Sequence, residues 1–126
     1  SGIITVGGNL MKITFDEQVL ARLTDWSDAD IVLDFDNTIG ETGRPVEGCS
    51  IGTNYRLIAI DKGTVPDIFD VVIASNFAPL HFKKYGEMFL ENDMTITENT
   101  DKRVQLKASG EVIDSNVQIL NYRQAK

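Results

Sequence analysis

The sequence predicts one α+β domain, a mainly antiparallel β-sheet or small β-sandwich with an N-terminal helix and one further short helix. Three observations lead to this prediction. The chain has 126 residues, the usual size of a single domain. Apolar residues recur at clear helical spacing only near its start. Most of the remaining chain consists of short apolar runs separated by Gly, Pro, Asn and Asp, which is typical of strands joined by turns.

The first ten residues differ from the sequence that follows them. Residues 1–10 look detached from the patterned part of the chain, which starts naturally at Met11. We interpret them as a tag remnant or an upstream extension. No linker divides the rest. The single domain is therefore predicted to occupy residues 11–126.

The first predicted element is the helix. Thr14 and Glu17 have the spacing of a capping box, in which the Thr hydroxyl accepts the Glu backbone N–H and the Glu side chain reaches back. The apolar residues that follow share one helical face: Phe15, Val19, Leu20, Leu23 and Trp26. We predict a helix that runs to about residue 25 and packs on the sheet.

About seven strands are predicted after this helix. They cover residues 31–36, 55–61, 69–75, 80–83, 94–97, 104–108 and 117–120. Residues 85–92 could form the further short helix. A long Gly-rich segment, residues 37–54, separates the first two strands.

Composition and charge exclude several classes of function. The chain has 12 basic and 19 acidic residues, and a formal net charge of −7 argues against nucleic acid as a partner. No apolar run approaches the roughly 20 residues of a membrane helix, so no membrane partner is expected. The single Cys excludes an intrachain disulfide framework and fits a reducing cytoplasm.

A phosphatase-like motif follows the first apolar run after the helix. Asp34, Asp36 and Thr38 form an Asp-x-Asp-x-Thr pattern that resembles the first motif of haloacid-dehalogenase-type phosphatases. In those enzymes the first Asp is the nucleophile and both carboxylates hold Mg²⁺. Either Lys83 or Lys84 would then be the phosphate-binding lysine. The resemblance implies a Mg-dependent phosphatase.

The connections between strands favour a structural interpretation of this motif. Parallel strands need crossovers of a dozen or more residues, usually helical, yet residues 37–54 show no helical period. The short Gly/Pro turn between residues 55–61 and 69–75 suits antiparallel neighbours. We therefore expect Asp34 and Asp36 to lie on the solvated side of an alternating strand that has an antiparallel neighbour.

Several segments together resemble the HesB-like, A-type iron–sulphur cluster biogenesis domain. The similarity spans about residues 11–120, mostly in the order and pattern of the elements. The matching segments are Ile13-Thr14-Phe15 with the helix after it, the strand at 31–35, Gly48-Cys49-Ser50 with Tyr55-Arg56-Leu57, the strand at 69–75, and Phe89-Leu90 with Met94-Thr95-Ile96. The resemblance implies a HesB-like fold and a non-enzymatic role in iron–sulphur cluster assembly.

The chain departs from this family at the cluster ligands. Cluster-carrying members place one Cys in Gly-Cys-Ser and two more in a C-terminal Cys-Gly-Cys, which aligns here with Asn116 and Gln118. Iron–sulphur clusters are held mainly by thiolates. No cofactor is therefore expected on the isolated chain. A cluster would need ligands shared in a homodimer or supplied from outside.

Two residues remain as candidate ligands. Cys49 would be the cofactor-binding and metal-binding residue of a shared site, or else a small half-buried residue in a tight loop. His81 alternates with Leu80 and Phe82, so it is solvated if those two face the core. The working surface implied by the resemblance is the loop 37–54 together with residues 114–118.

Three functions stay open at this point. The leading interpretation is a HesB-like domain without a conventional cluster site, acting with iron–sulphur assembly proteins. The alternative is a small protein-binding or ligand-binding domain that keeps only the fold. The third is the phosphatase that uses Asp34 and Asp36.

Overall fold

A computed structural model describes residues 11–36, 38–45 and 54–124, and these form a β-rich α+β fold. The strands are β1 (Lys12–Phe15), β2 (Ala29–Asp34), β3 (Arg56–Asp61), β4 (Val71–Ser75), β5 (Leu80–Phe82), β6 (Asp93–Glu98), β7 (Val104–Ala108), β8 (Glu111–Asp114) and β9 (Gln118–Asn121). One α-helix, α1 (Glu17–Arg22), and two 3₁₀ helices, Thr24–Trp26 and Lys84–Phe89, complete the elements. None of these helices is long and apolar enough to cross a membrane.

The nine described strands form one sheet in the order β8-β7-β6-β1-β4-β5-β2-β3-β9. Its pairs are mixed rather than mainly antiparallel. The parallel pairs are β1–β4, β1–β6, β2–β5 and β3–β9. The antiparallel pairs are β2–β3, β4–β5, β6–β7 and β7–β8. The expectation that Asp34 lies on a strand with an antiparallel neighbour is confirmed by the β2–β3 pair.

One predicted strand neighbourhood is wrong. The strands at 55–61 and 69–75 were expected to pair, but β3 lies between β2 and β9, while β4 lies between β1 and β5. The connection between them instead carries Phe69 into a buried apolar cluster beside β3. Because burial of the Phe69 ring is favourable, the connection follows this path and does not form a β3–β4 hairpin.

A three-residue connection forces the sheet to curl. β8 and β9 occupy opposite edges, yet only residues 115–117 separate them. A chain spans at most about 3.6 Å per residue, so the edges approach within about 14 Å at this corner. Val117 N–H donates to the Val104 carbonyl, and Gln118 N–H donates to the Tyr55 carbonyl. Residues from both halves of the sheet consequently share one core.

The strands β2 and β3 are buried on both faces. Ile31 belongs to the main core, whereas its neighbour Val32 packs in a second cluster. That second cluster consists of Val32, Ile39, Ile58, Ile60 and Phe69. Asp34 shares the face of Val32, so it is buried with 0% exposure, and its predicted solvated position is wrong. Strand alternation gives the face of a side chain but not the segments that cover that face.

The helix begins later than predicted because β1 takes up the predicted cap. Thr14 lies exposed inside β1, which pairs with β6 as far as Phe15. The N-cap is Asp16, whose Oδ1 accepts the Val19 N–H at 2.8 Å and whose Oδ2 accepts the Glu98 N–H at 3.0 Å. The helix also ends at Arg22 rather than at about residue 25. The predicted burial of Val19, Leu23 and Trp26 is confirmed, although Leu23 and Trp26 lie beyond α1.

We expect Asp16→Ala to lower the free energy of unfolding by about 1 kcal/mol, because the helix loses its N-cap acceptor. The matched control is Thr14→Ala, which removes a hydroxyl from an exposed strand position and should cost only a few tenths of a kcal/mol, by the order of strand propensities. Urea denaturation of the two variants gives the comparison. A larger loss for Thr14→Ala would return the cap to Thr14.

Candidate functional site

The predicted working surface combines the loop 37–54 with residues 114–118. The structure describes both ends of this loop, residues 38–45 and Asn54, and the whole of 114–118. Cys49 lies outside the described residues, whereas Asn116 and Gln118 lie within them. The geometry of the site is therefore built from the two described ends of the loop.

Asp114 joins the second end of the loop to the C-terminal segment. Its buried carboxylate accepts hydrogen bonds from the Tyr55 N–H, from Asn54 Nδ2 at 3.0 Å and from the Asn116 N–H at 2.8 Å. The bond to Asn116 closes an Asx turn, a local contact that Asp side chains commonly make. The predicted proximity of the two segments is thus found at the Asn54 end of the loop.

This network also changes the acidity of Tyr55. Burial raises the pKa of the Tyr55 hydroxyl, and the nearby Asp114 carboxylate raises it further. Both causes act against a second negative charge at this corner. Tyr55 consequently stays a neutral phenol throughout the physiological range of pH.

The first end of the loop is held by a buried ion pair. Arg56 lies opposite Asp34 in the β2–β3 register, and its Nη2 is 2.5 Å from Asp34 Oδ2. The same nitrogen donates to the Ile39 carbonyl at 2.8 Å, and the Ile39 N–H donates to Asp34 Oδ2 at 2.9 Å. One carboxylate and one guanidinium therefore fix the backbone at residue 39.

A second ion pair lies two residues further along the motif. Lys83 Nζ is 2.7 and 2.6 Å from the two carboxylate oxygens of Asp36, and the Thr38 hydroxyl donates to Asp36 Oδ1 at 2.6 Å. The ammonium is also 5.5 Å from the ring centroid of Phe35 and 5.4 Å from that of Phe69. With its side chain only 6% exposed, Lys83 is a buried, paired cation.

The Asp-x-Asp-x-Thr motif thus acts within a charge network of the fold. The structure brings Asp36, Thr38 and Lys83 together, whereas Asp34 pairs with Arg56, so both carboxylates are engaged by cations. The other candidate lysine, Lys84, is exposed and lies 3.8 Å from Glu87. In this arrangement Asp34 and Asp36 hold the chain between β2 and residue 39.

His81 lies on β5, on the face opposite Leu80 and Phe82, which are fully buried. Its cross-strand neighbours are Val32 and Val72, whose side chains offer no ligand atom. His81 is half-exposed rather than freely solvated. Across residues 11–36, 38–45 and 54–124, no three His, Cys, Asp or Glu side chains converge as a metal site would require.

The described side chains of the candidate site do not fit an iron–sulphur cluster. Asn116 and Gln118 carry neutral amides, and Asp114 uses its carboxylate to hold the backbone at residues 55 and 116. Oxygen donors of this kind suit hard cations, while clusters are held by thiolates. The chain contains one Cys in total.

An aromatic cluster adjoins this corner. The Phe35 ring centroid is 6.1 Å from Tyr55, 5.7 Å from Phe82 and 5.9 Å from Phe89. The 3₁₀ helix Lys84–Phe89 packs closely here, since a Cβ on Gly86 would lie 2.6 Å from Phe35 and 2.7 Å from Phe82. Beyond this contact Met88 is 81% exposed and Phe89 is 57% exposed.

Sequence reasoning missed three features of the site. It did not single out Asp114 or Arg56, whose roles depend on partners about 60 and 22 positions away. It also did not identify the exposed pair Met88 and Phe89. Gly86, between Tyr85 and Glu87, was the available signal for close packing of this segment.

One family model matches most of the chain, and two solved structures share its fold. The family model described as iron–sulphur cluster biosynthesis matches residues 11–121. The crystal structure of a candidate Fe–S biosynthesis protein from Lactobacillus salivarius, described as having a novel protein fold, has a TM-score of 0.76 at 24% identity. It covers 90% of this chain and 100% of that one.

A second structural neighbour supports the same fold. The crystal structure of a candidate Fe–S biosynthesis protein from Lactobacillus acidophilus has a TM-score of 0.66 at 19% identity, covering 89% of this chain and 90% of that one. At these identities the two likenesses show the fold alone. No curated protein matches the chain.

We expect Arg56→Met to lower the free energy of unfolding by about 3–5 kcal/mol, because it leaves the buried Asp34 carboxylate without its cation. The control is Arg22→Ala, which breaks the Arg22–Glu98 pair where the arginine is 38% exposed. That loss should be at most about 1 kcal/mol. Chemical denaturation separates the two. Equal losses would mean that Asp34 gains solvent when Arg56 is removed.

Proposed function

The chain belongs to the iron–sulphur cluster biosynthesis family, and we propose on this premise that it acts in cluster assembly through protein contacts, without a conventional cluster site of its own. One observation carries the proposal. Asn116 and Gln118 occupy the positions where the HesB-like resemblance expects thiolates, yet their segment is still held against Asn54 and Tyr55 by Asp114. The segment 114–118 thus keeps its contact with residues 54 and 55, while amides stand where the resemblance expects thiolates.

The chemistry of the available donors supports this reading. A cluster bound to one copy would have a single possible thiolate, Cys49. Further thiolates would have to come from a second copy or from an external thiol. In this proposal a cluster is cargo that passes between partner proteins, and this chain holds none stably by itself.

The nearby exposed apolar residues support a role in protein contact. Met88 and Phe89 are among the most exposed large apolar side chains of the described residues, and the Phe89 ring is tilted against Phe35, which also contacts Tyr55. Met and aromatic residues are enriched at protein–protein interfaces. We place the partners among iron–sulphur assembly proteins in the cytoplasm, in keeping with the single Cys.

A non-enzymatic role is part of the proposal. The carboxylates of Asp34 and Asp36 lie against Arg56 and Lys83, and this supports a structural use of the motif. An aspartyl nucleophile has to reach a phosphate ester, whereas Asp34 has 0% exposure. Hydrolysis of p-nitrophenyl phosphate with Mg²⁺ should therefore stay at background.

We expect the purified protein to bind no stable [2Fe–2S] or [4Fe–4S] cluster after anaerobic reconstitution with iron and sulphide, because one thiolate cannot hold it. Absorbance, iron content and gel filtration give the readout, and Cys49→Ser should keep its circular dichroism unchanged. A brown protein with near-stoichiometric iron and sulphide, whose colour disappears in Cys49→Ser, would contradict the proposal. A dimer that forms only on reconstitution, seen by gel filtration before and after, and that carries all of the signal would indicate a site shared between two copies.

A gain of cluster binding tests the alignment of the site itself. The double variant Asn116→Cys/Gln118→Cys restores thiolates at the positions implied by the resemblance, and we expect it to bind a cluster that depends on Cys49. The matched control is Thr95→Cys/Thr97→Cys, which has the same spacing on β6. Cluster binding by the control, or by neither variant, would argue against the proposed position of the site.

A further inference from the structure

The outer edge of β9 has no neighbouring strand within the part of the chain that the structure describes. There β9 pairs with β3 on one side only. The Gln118 and Tyr122 N–H groups donate toward β3, to the carbonyls of Tyr55 and Ala59. Because successive residues of a strand alternate, the N–H and C=O groups of Ile119 and Asn121 face away from β3. Among the described residues no backbone partner meets them there.

β9 carries one partly exposed apolar side chain on each face of the sheet. Ile119 packs at the margin of the main core and Leu120 at the margin of the second cluster, and both stay only half-buried. A strand laid along this edge would cover both side chains at once. Apolar burial and backbone pairing therefore favour the same neighbour.

The two edges of the sheet differ in their protection. β8 begins with the exposed acidic residue Glu111, and the β7–β8 pairing contains a register shift at Leu106/Lys107. Charges and bulges are features that natural edges use against pairing with another strand. β9, with the sequence Gln-Ile-Leu-Asn, has no charge, no Pro and a regular register with β3. Self-pairing through β9 brings no like charges of the two strands together.

We propose that β9 pairs antiparallel with β9 of a second copy of this chain, so that the two sheets continue into each other across a two-fold axis. The outward N–H and C=O groups of Ile119 in each copy would form hydrogen bonds with those of Asn121 in the other copy. Leu120 would then face its own copy across the axis as a non-hydrogen-bonded pair. In such pairs the Cα atoms are about 4.5 Å apart.

This dimer leaves the two candidate sites apart. Residue 116 lies four positions from the axis at Leu120, so the two copies of residue 116 would be separated by eight strand positions. At about 3.3 Å per residue this is roughly 26 Å. The pairing is therefore independent of whether a cluster binds at residues 114–118.

Sedimentation velocity of the full chain tests the pairing. We expect a concentration-dependent monomer–dimer equilibrium, and at least tenfold weaker association for Asn121→Pro. Proline removes the outward N–H at a position where an edge strand tolerates it. The matched variant Val112→Lys, on the exposed face of β8, should associate like the parent. Circular dichroism establishes that both variants are folded.

A crosslink gives a second readout that does not depend on affinity. Leu120→Cys in a Cys49→Ser background should form an intermolecular disulfide under mild oxidation, since a Cα separation of about 4.5 Å suits that bond. Val112→Cys in the same background should stay monomeric. A parent chain that remains monomeric at all concentrations would overturn the proposal. A dimer that persists in Asn121→Pro and gives no Leu120→Cys crosslink would also overturn it.

Discussion

The buried carboxylate of Asp34 sets the constraint on which the rest of the site depends. Its side chain has no exposed surface, so the folded state has to supply a cation and hydrogen-bond donors. Arg56 and the Ile39 N–H provide them at Oδ2, and Arg56 also binds the Ile39 carbonyl. The other oxygen, Asp34 Oδ1, is buried without a hydrogen-bond partner among the described residues. The chain leaving β2 therefore turns back over the second face of the sheet. That turn brings Ile39 into the second apolar cluster and covers the carboxylate.

A comparable network holds the other end of the loop. Asp114 reaches Tyr55 and Asn54 across a sequence distance of about 60 residues, and it does so where β8 and β9 meet at three connecting residues. The short connection and the buried carboxylate act together. The connection brings the β8 and β9 edges of the sheet close, and the hydrogen bonds of Asp114 fix their relative position. The two described ends of the loop are thus tethered independently, one by Asp34 and one by Asp114.

Features that depend on local sequence patterns were predicted correctly, whereas features that depend on residues distant in the sequence were not. The burial of Val19, Leu23 and Trp26 and the positions of seven strands followed from periodicity. β8 was missed because its four residues hold only two apolar side chains, within a tight hairpin. The burial of Asp34 could not be predicted, since alternation does not reveal that both faces of β2 are covered. The cap moved from Thr14 to Asp16 because pairing of β1 with β6 overrode a local motif.

The same tethers hold the corner at residues 114–118 without any contribution from a metal. In a domain that relies on metal for stability, loss of thiolates removes folding free energy. Here the corner at residues 114–118 is stabilised by a carboxylate and backbone donors, and Val117 is buried beside it. Substitution at Asn116 and Gln118, whose side chains are exposed, leaves these contacts in place. The side chains that this surface exposes can therefore change separately from the scaffold that presents them.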